Sequence, residues 1–149
     1  MFGDDQSDIQ ELLRKVPLFS DLNKKSLKEI GEITEEVERE AGDVLAQEGK
    51  AGKAFVFIVE GKVRVEKEDK LVNRLSAYDF FGEISLIDGR PRTATVIAET
   101  DVKLLVIHSS YFDEILDKVP GLSRKIMMSL CKYLRQTQKQ ISAQHTSEI

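Results

Sequence analysis

The sequence predicts an α+β fold, a β core held between helices at the two ends of the chain. Apolar residues recur at helical spacing before Thr34 and again after Ser109. Between them lie short runs rich in Val, Phe and Ile, cut by Gly42, Gly49, Gly52 and Gly61. Several short strands at close spacing with glycine punctuation point to a sandwich or barrel. No linker interrupts the order of helices, strands and helices, so the 149 residues read as one domain with a sizeable core.

The elements follow in order. "DIQELLRKVPLF" places Ile9, Leu12 and Leu13 at helical spacing and stops near Pro17. "NKKSLKEIGEI" predicts a second helix capped by Asn23, with Leu27, Ile30 and Ile33 on one face. "VFIVEGKVRVE" reads as two strands joined at Glu60-Gly61, Val63 and Val65 alternating with Lys62, Arg64 and Glu66. "LVNRLSAYDF" continues the β core, and two further strands fit "RTATVIAE", starting at Arg92, and "VKLLVIH". Tyr111, Phe112, Ile115 and Leu116 then form a short helix, and Pro120 opens a long one. The expected domain covers residues 8–141, its C-terminal helix about 120–141, with polar tails at 1–7 and 142–149.

Composition removes several function classes. Hydrophobic residues make up 41% and charged residues 32%, the balance of a soluble globular protein. No apolar run approaches the ~20 residues of a membrane span. The start, "MFGDDQSD", is acidic and polar where a signal peptide is basic and then apolar. A cytoplasmic protein without a membrane partner is therefore expected. The net charge of -4 argues against direct nucleic-acid binding, which needs a basic patch. The densest basic stretch, with Arg124, Lys125, Lys132, Arg135 and Lys139, reads as a solvated helix face. Cys131 is the only cysteine, so no internal disulfide forms. With only His108 and His145, no His–carboxylate metal cluster can form, and neither an enzyme nor a metal or other cofactor is expected.

One stretch asks for a ligand: "FGEISLIDGRPRTATV", residues 81–96. It reads as a short helical turn after glycine, then a loop and a strand. Helix N-termini present unpaired backbone N–H groups that attract anions. Gly82 lets a ligand approach the backbone closely. Glu83 can accept hydrogen bonds from hydroxyls, and Arg92 offers a planar fork suited to phosphate. Together these suit a sugar phosphate. The plainer alternative is that Glu83 and Arg92 pair with each other across the turn.

The pattern F-G-E-x-x-L, a short loop and then P-R-T-A-T-V resembles the phosphate-binding cassette of cyclic nucleotide-binding domains. "VPLFSDL" is similar to that family's turn before a helix, and "AGDVLAQEGKAGKAFVFIVEGKVRV" to its opening strands, so the resemblance covers roughly residues 10–141. It implies an eight-stranded jelly-roll barrel with an internal phosphate-binding helix and a hinged C-terminal helix. It further implies that Gly82 and Glu83 are the cassette glycine and the ribose-binding glutamate. Ile84 and Ser85 would offer backbone N–H groups to the cyclic phosphate, Arg92 would pair with its charge, and Thr93 would contact phosphate or base. Two departures bear on turn geometry: Tyr78-Asp79 and Gly52-Lys53 stand where the family often has Gly-Asp.

The long helix carries its own pattern. Met127, Leu130, Leu134, Thr137 and Ile141 recur three and four apart, a seam with heptad character. It would either pack on the β core or join a second copy, and its expected length of roughly 30 Å favours a homodimer. "LRQTQKQI" resembles the dimer helix of the family's catabolite activators, in which a threonine contacts adenine; Thr137 matches that position. The expectation is a regulatory sensor that binds cAMP in preference to cGMP and moves its C-terminal helix to signal to an effector protein whose identity the residues do not reveal. An interaction scaffold with a vestigial site, or the sensor portion of a longer transcription regulator, is the alternative.

Overall fold

The computed structural model of the protein describes residues 6–16, 18–82 and 89–144, except for the side chains of Gln6, Ser7, Ser129, Tyr133 and residues 136–144. Helices α1 (Gln6–Lys15) and α2 (Lys24–Glu32) come first. Eight strands follow among the described residues: β1 (Thr34–Arg39), β2 (Val44–Ala46), β3 (Ala54–Glu60), β4 (Val63–Lys67), β5 (Lys70–Leu75), β6 (Phe80–Phe81), β7 (Thr95–Ala98) and β8 (Val102–His108). Helices α3 (Ser109–Lys118) and α4 (Leu122–Gln144) close the order. The fold is mixed α+β with antiparallel sheets. One sheet runs β1-β8-β3-β6 and the other β2-β7-β4-β5.

Strand β3 is buried on both faces, which explains why "AFVFIV" is apolar without alternation. Phe55, Phe57 and Val59 face the helices and pack with Leu13, Leu27 and Ile115. Val56 and Ile58 face the second sheet and pack with Val63 and Val96. Phe55 and Phe57 stack at 4.7 Å, and Phe19 tilts onto Phe57 at 5.0 Å. The Asn23 side chain accepts the Ser26 amide at 2.8 Å and so starts α2 as expected.

The structure changes or refines three sequence expectations. The strand expected from Arg92 begins at Thr95. Arg92 instead joins the β2–β3 loop: its amide donates to the Lys50 carbonyl (2.8 Å), and its carbonyl accepts from the Gly49 amide (2.9 Å). The two strands expected to join at Glu60-Gly61 are present but belong to different sheets, so the chain turns a corner there. The third concerns α4, which buries Leu122 and Ile126 and packs Leu130 partly against the same core. Met127 and Leu134, both on the expected seam, are 56% and 57% exposed. Among the described side chains, only Leu130 is common to the two stripes.

Tyr78 has φ 73, a left-handed conformation that suits glycine. The turn holds all the same: the Tyr78 amide donates to the Ile58 carbonyl at 2.6 Å, and the Asp79 carboxylate accepts the Ser76 amide at 2.9 Å. Removing the Cβ relieves roughly 1–2 kcal/mol, against which glycine adds unfolded-state entropy. Tyr78→Gly is expected to stabilise the fold by up to about 1 kcal/mol, read from the urea midpoint. A lower midpoint would mean that packing of the tyrosine ring outweighs the backbone strain.

Candidate functional site

Strand β6 pairs with β3 through Val56↔Phe81 and Phe57↔Phe80, and this register delivers Gly82 beside the first residue of β3. Gly82 has φ 98, and a Cβ built on it would lie 2.4 Å from the Ala54 carbonyl oxygen and 3.1 Å from Arg92 Nη1. Position 82 therefore has neither the backbone conformation nor the room for a side chain. Arg92 reaches the same carbonyl, Nη2 donating to Ala54 O at 3.3 Å. Its side chain is half-buried and its main chain is clamped between Gly49 and Lys50. A glycine with a bare backbone and a guanidinium thus converge on one point at the start of β3. Such a pair can receive an anion, the guanidinium giving charge and a fork of donors, the glycine giving close approach.

Of the sequence-predicted residues, Gly82 and Arg92 are brought together. Thr93 is exposed in the bend before β7. Glu83, Ile84 and Ser85 lie outside the described residues, as do the side chains of Thr137 and Ile141 on α4. Sequence reasoning passed over Ala54, whose contribution is a carbonyl, and over Lys50, which also acts through its main chain. The spaced glycines did mark the right loop: Gly49, at φ 83, gives the amide that holds Arg92.

Elsewhere, a cavity of about 80 Å³ between α2 and α3 is lined by Ile30, Ile33, Ile115 and Val119 and holds none of these residues. Lys118 borders it; a 2.6 Å hydrogen bond to the Glu114 carboxylate raises its pKa above the usual lysine value. Among the described residues no group of His, Cys, Asp or Glu could hold a metal ion, and no helix is long and apolar enough to cross a membrane.

Residues 36–119 match the family model described as the cyclic nucleotide-binding domain. A cGMP-dependent protein kinase of Drosophila melanogaster is 32% identical over 128 residues, covering 80% of this chain and 14% of the kinase. A cAMP-dependent protein kinase regulatory subunit of Hypocrea atroviridis is 33% identical over 116 residues, covering 78% of this chain and 25% of the subunit. The chain thus spans a quarter or less of the length of these two curated relatives. The catabolite activator protein of Thermus thermophilus superposes with a TM-score of 0.78 at 22% identity, covering 85% of this chain and 62% of that one, a likeness of fold. With more than half of its length matched, and with Gly82 and Arg92 converging inside the matched span, this chain belongs to the cyclic nucleotide-binding domain family.

Proposed function

We propose that this chain is a sensor module that binds one 3′,5′-cyclic nucleotide, cAMP in preference to cGMP, and performs no chemistry of its own. The observation that carries this reading is the convergence of Gly82 and Arg92 on the Ala54 carbonyl, where a side chain at position 82 would collide. In the bound state Arg92 pairs with the cyclic phosphate, the amides of Ile84 and Ser85 donate to it, and Glu83 accepts from the ribose hydroxyl. Thr93 and Thr137 reach for the phosphate or base. The two sheets close as a jelly-roll barrel around the ligand, within a domain of residues 8–141. Calorimetry with cAMP and cGMP tests this; no heat and no melting shift at millimolar ligand would overturn it.

Base choice is supported from two sides. Thr93 after the arginine suits guanine, whereas Thr137 suits adenine, and the relatives include proteins named for each nucleotide. Competition is expected to favour cAMP; a cGMP preference beyond about tenfold, or 1.4 kcal/mol, would reverse the assignment.

The output is a movement of α4 toward the sheets or against a second copy, with an effector protein reading its position. A ligand moves such an equilibrium only by its differential affinity for the two states. The exposed Met127 and Leu134 support a partner for α4, and a homodimer through this helix is the reading we adopt. Replacing Leu134 and Ile141 together by Asp is expected to break the dimer and leave much of the nucleotide affinity. Sedimentation of wild type and variant checks it; a wild type that stays monomeric at tens of micromolar with cAMP bound would remove the dimer. The chain spans only part of its relatives' length, which supports a second reading in which the effector is a further domain of a longer polypeptide, such as a transcription regulator.

A further inference from the structure

Arg92 belongs to no strand, so something other than a ladder must set its depth in the site. Three hydrogen bonds do so, all between the turn after β2 and the segment that leads into β7. The Arg92 amide donates to Lys50 O (2.8 Å), the Gly49 amide donates to Arg92 O (2.9 Å), and the Glu48 amide donates to Thr95 Oγ1 (3.0 Å). Two of these are main-chain bonds; the third depends on a side chain. Thr95 opens β7, where Glu66 of β4 is its ladder partner. Its hydroxyl is therefore referred to the sheet while it holds the turn that grips Arg92. Glu48 is fixed from its other end as well, its carboxylate accepting the Glu68 amide at 3.1 Å in the β4–β5 turn.

We propose, on the strength of the cyclic nucleotide site above, that Thr95 is a positioning residue for the phosphate-binding arginine. Its hydroxyl oxygen registers the 48–50 turn against the sheet, and that turn presents Arg92 at the right depth beside Ala54. Valine has the shape and strand preference of threonine without the acceptor, so Thr95→Val leaves the half-buried Glu48 amide without its side-chain partner. Thr95→Ser keeps the acceptor.

The test is a double-mutant cycle on cyclic nucleotide affinity, read by displacement of a fluorescent cAMP analogue, with Arg92→Ala as the second change. Thr95→Val is expected to weaken binding about tenfold in the wild-type background, and Thr95→Ser to stay within about twofold. In the Arg92→Ala background Thr95→Val should cost less than about twofold, because neighbours acting through one group are not additive. Amide exchange should quicken at Glu48, Gly49 and Arg92 in Thr95→Val and stay unchanged at Ala98, the far end of the same ladder. An equal loss in both backgrounds would make Thr95 a general structural residue and overturn the proposal, as would full affinity in Thr95→Val. Arg92→Ala binding like wild type would instead overturn the phosphate site itself. Should the valine variant not fold, Thr95→Ala takes its place in the same cycle.

Discussion

Arg92→Ala should weaken cyclic nucleotide binding by roughly 30- to several-thousandfold, the equivalent of about 2–5 kcal/mol for truncating one partner of a desolvated charge pair. The magnitude follows from what stays behind. The ligand phosphate keeps its charge and loses the guanidinium that pairs with it. The fold should suffer less, because both Arg92 main-chain bonds, to Gly49 and Lys50, survive the substitution. The 3.3 Å bond from Nη2 to the Ala54 carbonyl is lost, and a water can take the place of the guanidinium there. Glu83→Ala should cost less affinity, since it removes one hydroxyl contact and strands no phosphate charge. Calorimetry with cAMP on each variant, beside thermal melting without ligand, separates affinity from folding. Arg92→Ala with wild-type affinity would mean that the phosphate sits elsewhere.

Much of this was legible because side-chain chemistry repeats along the chain. Asn23, the run "AFVFIV" and the sequence "VKLLVIH" state their roles locally, and the structure places a helix cap and two strands there. What was not legible depends on main-chain partners distant in sequence. Glu60-Gly61 reads as a junction of two strands, without showing that Gly61 is needed because a Cβ there would meet Asp101 O at 2.4 Å, forty residues further on. Arg92 looks like the start of a strand because β-prone residues follow it; its actual partners, Gly49 and Lys50, contribute only backbone groups, which leave no mark in residue type. Helix α4 is ambiguous for a different reason. Stripes through 122-126-130 and 127-130-134 both satisfy helical spacing and share Leu130, so periodicity cannot choose between them, whereas packing against the sheet does. Tyr78 shows the opposite case: a residue whose type argues against the turn it occupies, kept there by its amide bond to Ile58 and by Asp79.

Gly82→Ala should harm both stability and binding, and a second glycine separates the causes. Gly89 also has a positive φ, 70, but a Cβ there meets none of the described residues within 4 Å. Gly89→Ala therefore carries backbone strain alone, roughly 1–2 kcal/mol. Gly82→Ala carries comparable strain at φ 98 and also drives a methyl group to 2.4 Å from Ala54 O. That oxygen cannot retreat cheaply, because β3 is held at its start: Ala54 pairs with His108 of β8, and the Lys53 carbonyl accepts the Ser109 amide at 2.8 Å. The relief must come from Gly82 itself, which would pull away from β3 and carry the following cassette residues with it. Arg92 Nη1, 3.1 Å from the same methyl position, would be displaced as well. Adding overpacking of about 1–3 kcal/mol to the strain gives a total loss of stability of roughly 2–5 kcal/mol. Affinity should fall by about 100-fold or more, since ligand pairing with Arg92 depends on the geometry that moves. Urea unfolding and calorimetry on both alanine variants provide the comparison. If Gly82→Ala and Gly89→Ala lose the same stability and both keep wild-type affinity, the close approach at Ala54 has no part in binding, and the site must be sought away from the start of β3.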